Sequence, residues 1–437
     1  MGMKRPMSTG VRSSRGGILL LAMLAASGCA SSHSASGGPG TGGGAPSGEG
    51  GAGGASDAGG SHWVGTWACG PQLTEPGNVP PAPGLTGNTL RQVVYTSIAG
   101  ARLRVRLSNA FGDGPVTMSA VHLAMASGAP GGIDAATDVA VTFAAGSPSV
   151  TIAAGQSVVS DELDYALPAL TRIALSIHFV AAPAGITGHP GSRTTSYIAT
   201  GDAVTAAALV APVPAEHWYY ITGIDVLADG ATSAVVTLGD SITDGRGTTT
   251  DQNNRWPDDL SRRLRAAQPP TKIAVLNQGI GGNAVVSGGL GPTAIARFQR
   301  DVLDQAGVRY LIVLEGVNDI GGSSGTGAAA AASLIGAFGT FIDKAHAGNI
   351  LAYGVPILPF AGNAYDSPEH QIARAMVNDW IRTSGRFDAV IDLDAAVRDA
   401  TDPTKLAAAY DTGDHLHLNP AGYQAMADAI DLALFAR

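Results

Sequence analysis

The alternation of apolar and polar positions changes its period near residue 230. Upstream, from Trp63 to about Ala228, the period is two. It is clearest in Arg102-Leu103-Arg104-Val105-Arg106-Leu107, where Leu, Val and Leu face one side and three arginines the other, the mark of a half-buried strand. Further strands are predicted at 90–98, 116–125, 139–143, 149–153, 172–180 and 217–226, separated by Gly, Pro and Asp turns. Many short strands at this spacing predict an antiparallel β-sandwich over 62–229. Downstream, strand-like runs at 234–238, 272–276, 310–314, 350–355 and 389–393 alternate with helical periods at 256–267, 293–306, 327–347 and 368–383. A last helix follows Asn419-Pro420, carrying Tyr423, Met426, Ile430 and Leu434 on one face. This alternation predicts an α/β domain over 230–437, a parallel sheet covered on both faces. In such sheets ligands bind beyond the carboxyl ends of the strands.

The amino-terminal end breaks both patterns. Residues 1–28 carry Lys4, Arg5, Arg12 and Arg15 and no acid, then the apolar run 18–26, the plan of a secretory signal. Ala26-Ser27-Gly28-Cys29 reads as a lipoprotein cleavage box, with Cys29 receiving lipid; the competing reading is a plain signal peptide and a secreted product. Several acyl chains on one cysteine meet the two-anchor requirement for stable membrane attachment, and Ala30-Ser31, with no Asp, points to the outer membrane or cell surface. Residues 29–61 are Gly/Ser-rich and lack large apolar side chains, so they read as a tether, with an end-to-end distance of about 30 Å. Losing the four cations of the signal takes the formal charge from −9 to −13, which argues against a nucleic-acid partner. With Cys29 lipidated, Cys69 is the only thiol left and no internal disulfide can form.

Candidate chemistry falls just after the predicted parallel strands. Ser241, in Leu238-Gly239-Asp240-Ser241-Ile242, follows the first of them and opens a helix, where backbone N–H groups and the helix dipole favour developing negative charge. Taken alone it reads more readily as a helix-capping serine, and it is the companion motifs that reverse this. A serine hydroxyl needs a base, and the base a third group to orient it. His417 is the candidate base and Asp414, three residues earlier, its orienting carboxylate, although both could be ordinary loop residues. Asp414, His415 and His417 could also chelate zinc, but no further ligand cluster lies nearby in sequence. Gly282 in Gly279-Ile280-Gly281-Gly282-Asn283 and Asn318 in Gly316-Val317-Asn318-Asp319 follow the second and third strands. Asp240 is read as bonding the turn; Asp319, Asn283 and Arg255 are read as ordering loops. The segment 361–366, with Asn363 and Tyr365, is a candidate for substrate contact.

In these four blocks the chain resembles the SGNH, or GDSL-type, serine hydrolases over about 231–437. The resemblance implies a flavodoxin-like three-layer α/β/α fold and an ester hydrolase that needs no metal or cofactor. It also implies an oxyanion hole built from the backbone N–H of Ser241, the backbone N–H of Gly282 and the side-chain amide of Asn318. Upstream, Trp63-Val64-Gly65-Thr66-Trp67-Ala68 and the segment 105–112 resemble, more loosely, the β-domain preceding such hydrolases in bacterial esterases related to xylanolytic acetyl esterases and arylesterases. Ile242 stands where the family's older name expects leucine. The expected activity is cleavage of short-chain, acetyl-type esters, with carbohydrate esters among the substrates. One alternative is acyl transfer to a sugar. The other is a non-catalytic, carbohydrate-binding surface lipoprotein using Trp218, Tyr219 and Tyr220.

Overall fold

The computed structural model describes residues 60–436. The signal-like segment, Cys29 and nearly all of the tether lie outside the described residues. Among those described, no helix is long and apolar enough to cross a membrane.

The amino-terminal part is built of antiparallel strands. One sheet runs in the order Ser61–Ala68, Ile221–Asp229, Gly100–Ser108, Ser157–Val159, with Leu163–Leu167 also on Gly100–Ser108. A second runs Val213–Ala215, Ser196–Thr200, Asn88–Thr96, Thr171–Ala181, Val116–Met125, Val139–Ala140. A small third sheet joins Trp218–Tyr219, Thr187–His189 and Gln72–Leu73. The expected strand at 217–226 is broken at Tyr220, whose φ of +61° no strand accommodates. Its backbone there bonds sideways, donating to Thr187 O and accepting from the Ser108 N–H. The expected strand at 139–143 stops after Ala140, and Ala144 and Ala145, both at positive φ, turn the chain back. In Gly100–Ser108 the arginines do not simply face water: Arg104 and Arg106 both donate to Asp225 at 2.8 Å, a carboxylate buried in the neighbouring strand.

After residue 232 the chain forms a parallel sheet in the order Ile273–Gly279, Ser233–Gly239, Val308–Leu314, Leu351–Gly354, Ala389–Val390. The first strand lies inside the sheet and is apolar on both faces, as a strand covered twice must be. Val235 packs with Trp256, Leu260, Ile312 and Met426 on one side, while Val236 joins Leu276, Leu311, Val313 and Phe298 on the other. The helices Gly327–Ala347 and Pro368–Thr383 start where the sequence predicts, because Thr326 and Ser367 accept the N–H groups of Ala329 and His370 as caps. Two helices are shorter than predicted. The one over 293–306 is helical as Ala294–Phe298 and then widens into a π-type turn over Gln299–Leu303. The last ends at Asp428, and Asp431 nucleates a new turn by accepting from the Ala433 N–H at 2.9 Å.

The two halves share one core. Val64 and Trp67 from the first strand belong to the same buried cluster as Leu276, Phe298 and Phe338. Ile273–Gly279 is an edge of the parallel sheet, and an open edge carries unpaired N–H groups. Ser97 meets that need by accepting from the Val275 N–H at 3.1 Å, and the Gly65 N–H donates to Ala306 O at 2.9 Å. Accordingly the described residues, 60–436, form one compact unit.

Candidate active site

Strand Ser233–Gly239 ends against Asp240, whose Oδ1 accepts the Ile242 N–H at 2.9 Å and starts the single-turn helix Ser241–Asp244. Ser241 therefore stands at a helix N-terminus at the carboxyl edge of the sheet. Asp240 bonds the turn, as its position in the motif implies.

His417 reaches Ser241 from the loop ahead of helix Pro420–Asp428. Its Nε2 lies 2.8 Å from Ser241 Oγ, and its Nδ1 donates to Asp414 Oδ2 at 2.6 Å. A carboxylate only accepts, so Nδ1 carries the proton and Nε2 is left to take the serine proton. The other oxygen of Asp414 accepts the backbone N–H groups of Leu416 and His417, at 3.0 and 2.8 Å. Burial works against charge on Asp414, but these bonds from His417 and Leu416 prevail and hold its carboxyl at about 2. For His417 burial is the larger effect, and it keeps the imidazole below its ordinary 6.5 despite the pull of Asp414. A neutral acceptor at neutral pH is what general-base work requires. The neighbouring His415 turns away to Asp411 Oδ2, at 2.6 Å, so the two histidines serve different carboxylates. Among the described residues no group of three or more Cys, His, Asp or Glu is arranged to hold a metal ion.

Gly282 and Asn318 line the same cavity as Ser241 and His417, a cleft of about 420 Å³. Gly282 sits at φ +71°, where a side chain would be strained. Asn318 donates one amide hydrogen to Asn283 O at 2.8 Å and accepts the Tyr365 hydroxyl at 3.0 Å. These two bonds fix the amide plane and leave its second N–H for a ligand. Tyr365 thus lines the cleft and orients Asn318, while Asn363 donates to Asp414 O at 2.7 Å. The segment read as a substrate contact is also a brace for two site residues. Asp319 accepts the N–H groups of Val285 and Val286, and Asn283 donates to Leu290 O and Pro292 O, so both order the glycine-rich loop.

Beneath this surface lies a buried charge cluster that sequence reasoning missed. Arg297, 1% exposed, donates to Gly239 O and Gln278 O at the ends of two parallel strands, to Asn283 Oδ1, and to Asp301 and Glu315. One guanidinium thereby fixes the backbone just before Ser241 and the loop holding Gly282. Burial, reinforced by Asp240, pushes Glu315 well above the carboxylate range. Asp240 itself is raised to about 7, again mainly by burial. The available signal was an arginine within an otherwise amphipathic helical run.

The amino-terminal part supplies the rest of the cleft wall: Gln72, Glu75, Asn78, Pro190, Arg193 and His217. His189 ties that wall to the helix Ser241–Asp244. Its two ring nitrogens face Gly70 O and Asp244 Oδ1, both at 2.9 Å, so both donate. Asp244 is buried, and although burial opposes its charge, His189 keeps its carboxyl below the usual value. Gly191 allows the close approach, because a Cβ there would collide with the Asp244 carboxylate. Trp218 stacks on His189 and meets Trp67 edge-on. With Tyr219 and Tyr220 it is buried, so the three aromatics offer no platform for a carbohydrate, which removes the basis of the binding-lipoprotein alternative.

Residues 237–425 match the model of the GDSL-like lipase/acylhydrolase family. No curated protein matches the chain. Similar solved structures include a lipase/acylhydrolase from Enterococcus faecalis, 20% identical, covering 45% of this chain and 93% of that one, with a TM-score of 0.36. An acetylxylan esterase from Geobacillus stearothermophilus is 19% identical, covering 46% and 93%, with a TM-score of 0.34. A carbohydrate acetylesterase from Sinorhizobium meliloti is 12% identical, covering 47% and 99%, with a TM-score of 0.36. The part of the chain from residue 237 to 425 belongs to the GDSL-like lipase/acylhydrolase family, and the protein is an ester hydrolase.

Proposed function

We propose that the protein cleaves short-chain, acetyl-type esters of polar alcohols, carbohydrates among them, through an acyl-Ser241 intermediate. Ser241 Oγ attacks the ester carbonyl as its proton passes to His417 Nε2. The tetrahedral oxyanion is held by the backbone N–H groups of Ser241 and Gly282 and by the free amide N–H of Asn318. The imidazolium, steadied by Asp414, returns the proton to the departing alkoxide, and the alcohol leaves. Water, deprotonated by His417, then attacks the acyl carbonyl and releases the acid and free Ser241.

The observation that carries this reading is the chain of two short hydrogen bonds, 2.8 Å from Ser241 to His417 and 2.6 Å from His417 to Asp414. The cleft supports a small acyl group and a polar alcohol, since Leu290, Leu416, Pro190 and Tyr365 are the larger apolar side chains among a mostly polar lining. Labelling with a fluorophosphonate should modify Ser241, and nitrophenyl esters should turn over fastest with acetyl and progressively slower as the chain grows. Best turnover on long-chain esters would overturn the acyl preference. The same proposal includes a β-sandwich domain over 62–229 and export with lipid attachment at Cys29 to the outer membrane or cell surface. Metabolic labelling with palmitate that survives Cys29→Ala would sink the last element.

A further inference from the structure

The cleft has a direction. On the serine-esterase reading, on which this inference rests, the oxyanion faces Gly282 and Asn318, while the alcohol departs on the imidazole side, because His417 must hand it a proton. The residues on the imidazole side therefore meet the alcohol half of the ester.

Two cations stand there. Arg246 directly follows the turn that closes the nucleophile's helix: its N–H donates to Ser241 O at 2.9 Å, and its carbonyl accepts the Tyr423 hydroxyl at 2.6 Å. Arg193 lies on the loop that packs Gly191 against Asp244, with its carbonyl held by the Asp251 N–H at 3.0 Å. Both line the cleft, and both lower the basicity of His417, which puts them within electrostatic reach of the imidazole. Neither guanidinium has a hydrogen bond or ion pair with a protein group among the described residues, and Arg193 Nε is shielded from solvent with no protein acceptor.

Such idleness stands out for Arg193, which is partly buried, whereas Arg246 is exposed. Arg104 and Arg106 share Asp225, and Arg297, Arg374 and Arg382 are all paired with carboxylates. Of the cleft's anions, Glu75 is engaged on both oxygens by the amides of Gln72 and Asn78, and Asp244 on Oδ1 by His189; Asp244 Oδ2 is buried without a hydrogen bond, and Arg193 acts on this carboxylate only at a distance, without bonding it. Partly desolvating Arg193 without a partner is unfavourable, and a guanidinium fork matches a planar oxyanion in two parallel bonds.

We propose that Arg193 and Arg246 receive a negatively charged group on the alcohol half of the substrate, so that the preferred ester is one of an acidic sugar. Glu75, Asn78 and His217 on the same wall suit its hydroxyl groups.

The test is a matched pair of substrates, the methyl glycosides of an O-acetylated glucuronic acid and of glucose acetylated at the same position. Wild-type kcat/KM should favour the acid by about 10-fold or more. Arg193→Gln and Arg246→Gln should each pull that ratio towards one, and Arg193→Lys should restore part of it. A sulfated glycoside in place of the uronate tells which anion fits better, and preference for either over the neutral ester supports the proposal. A wild-type ratio at or below one overturns it, as do arginine variants that slow both esters by the same factor. Should Arg193→Gln fail to fold, the exposed Arg246 carries the test alone. Full activity of Ser241→Ala on both esters would instead refute the catalytic reading, whereas loss of both with a ratio of one refutes the acidic-sugar inference only.

Discussion

The two walls of the cleft are made by different physics. The parallel-sheet side delivers its chemistry at strand ends, where each chain segment leaves an apolar strand and must satisfy its own polar groups. Ser241, Gly282 and Asn318 come from three successive exits, and Arg297 locks two of those exits together from below. The antiparallel side places no acid, base or nucleophile against Ser241 in the proposed mechanism. It contributes a cleft wall and part of the shared core, and it steadies the helix Ser241–Asp244 through the buried link of His189 with Asp244. The contrast teaches that turnover and selectivity can be altered separately, since the groups proposed for bond-breaking lie on one side and many of those facing the alcohol lie on the other.

The sharpest way to break the comparison is at the nucleophile. Ser241→Ala should lower kcat on the order of 10⁶-fold, and adding His417→Ala should cost little more, because the two act as a unit. Its thermal unfolding should stay close to wild type, and a large drop in Tm would mean that the serine is structural. Next come the buried links. His189→Ala leaves Asp244 without its hydrogen-bond partner, and Arg297→Leu strips Glu315, Gly239 O and Gln278 O of their guanidinium and leaves Asp301 to Arg300 alone, so each should cost about 3 to 5 kcal/mol in urea unfolding. A cost near zero for His189→Ala would mean that the antiparallel side is dispensable to the nucleophile's helix. Asn318→Ala should lower kcat by about 10² to 10³ with little change in KM.

pH separates the two members of the relay. His417 must be neutral to accept a proton, so kcat/KM should fall as pH drops through a value below 6.5. Asp414 stays ionised throughout that range. Its depressed carboxyl contributes stability that is present above 3.8 and is lost only as pH falls through about 2, so activity should vanish well before this contribution does. An acid limb with its midpoint above 6.5 would contradict the lowered basicity of His417. The smallest effect is expected from Tyr365→Phe, which frees the Asn318 amide to rotate and should cost about 0.5 to 1.5 kcal/mol in kcat/KM.

Much of this was legible in the chain because period and punctuation are local. The parallel strands and the helices Gly327–Ala347 and Pro368–Thr383 follow from apolar runs and caps that a reader can see, and Ser241, Asp414 and His417 sit in short motifs just beyond them. What was not legible depends on partners far away in sequence. Tyr220 breaks a well-patterned strand because its backbone is claimed by Thr187 and Ser108. Arg297 looks like any helix-surface cation until the fold closes over it. The cleft wall at Arg193 and Glu75 comes from loops that carry no periodic signal, more than 40 residues ahead of the nucleophile.

The His189 link has a practical corollary for anyone trimming the molecule. A clone starting at residue 230 would retain every group assigned to bond cleavage, yet it would bare Asp244 and the flank of Trp256–Ala266 that Arg255 joins to Ser192 O. Such a fragment would carry an orphaned carboxylate directly under Ser241, and its inactivity even on a simple aryl acetate, which needs no contact with the lost cleft wall, would report a collapsed scaffold.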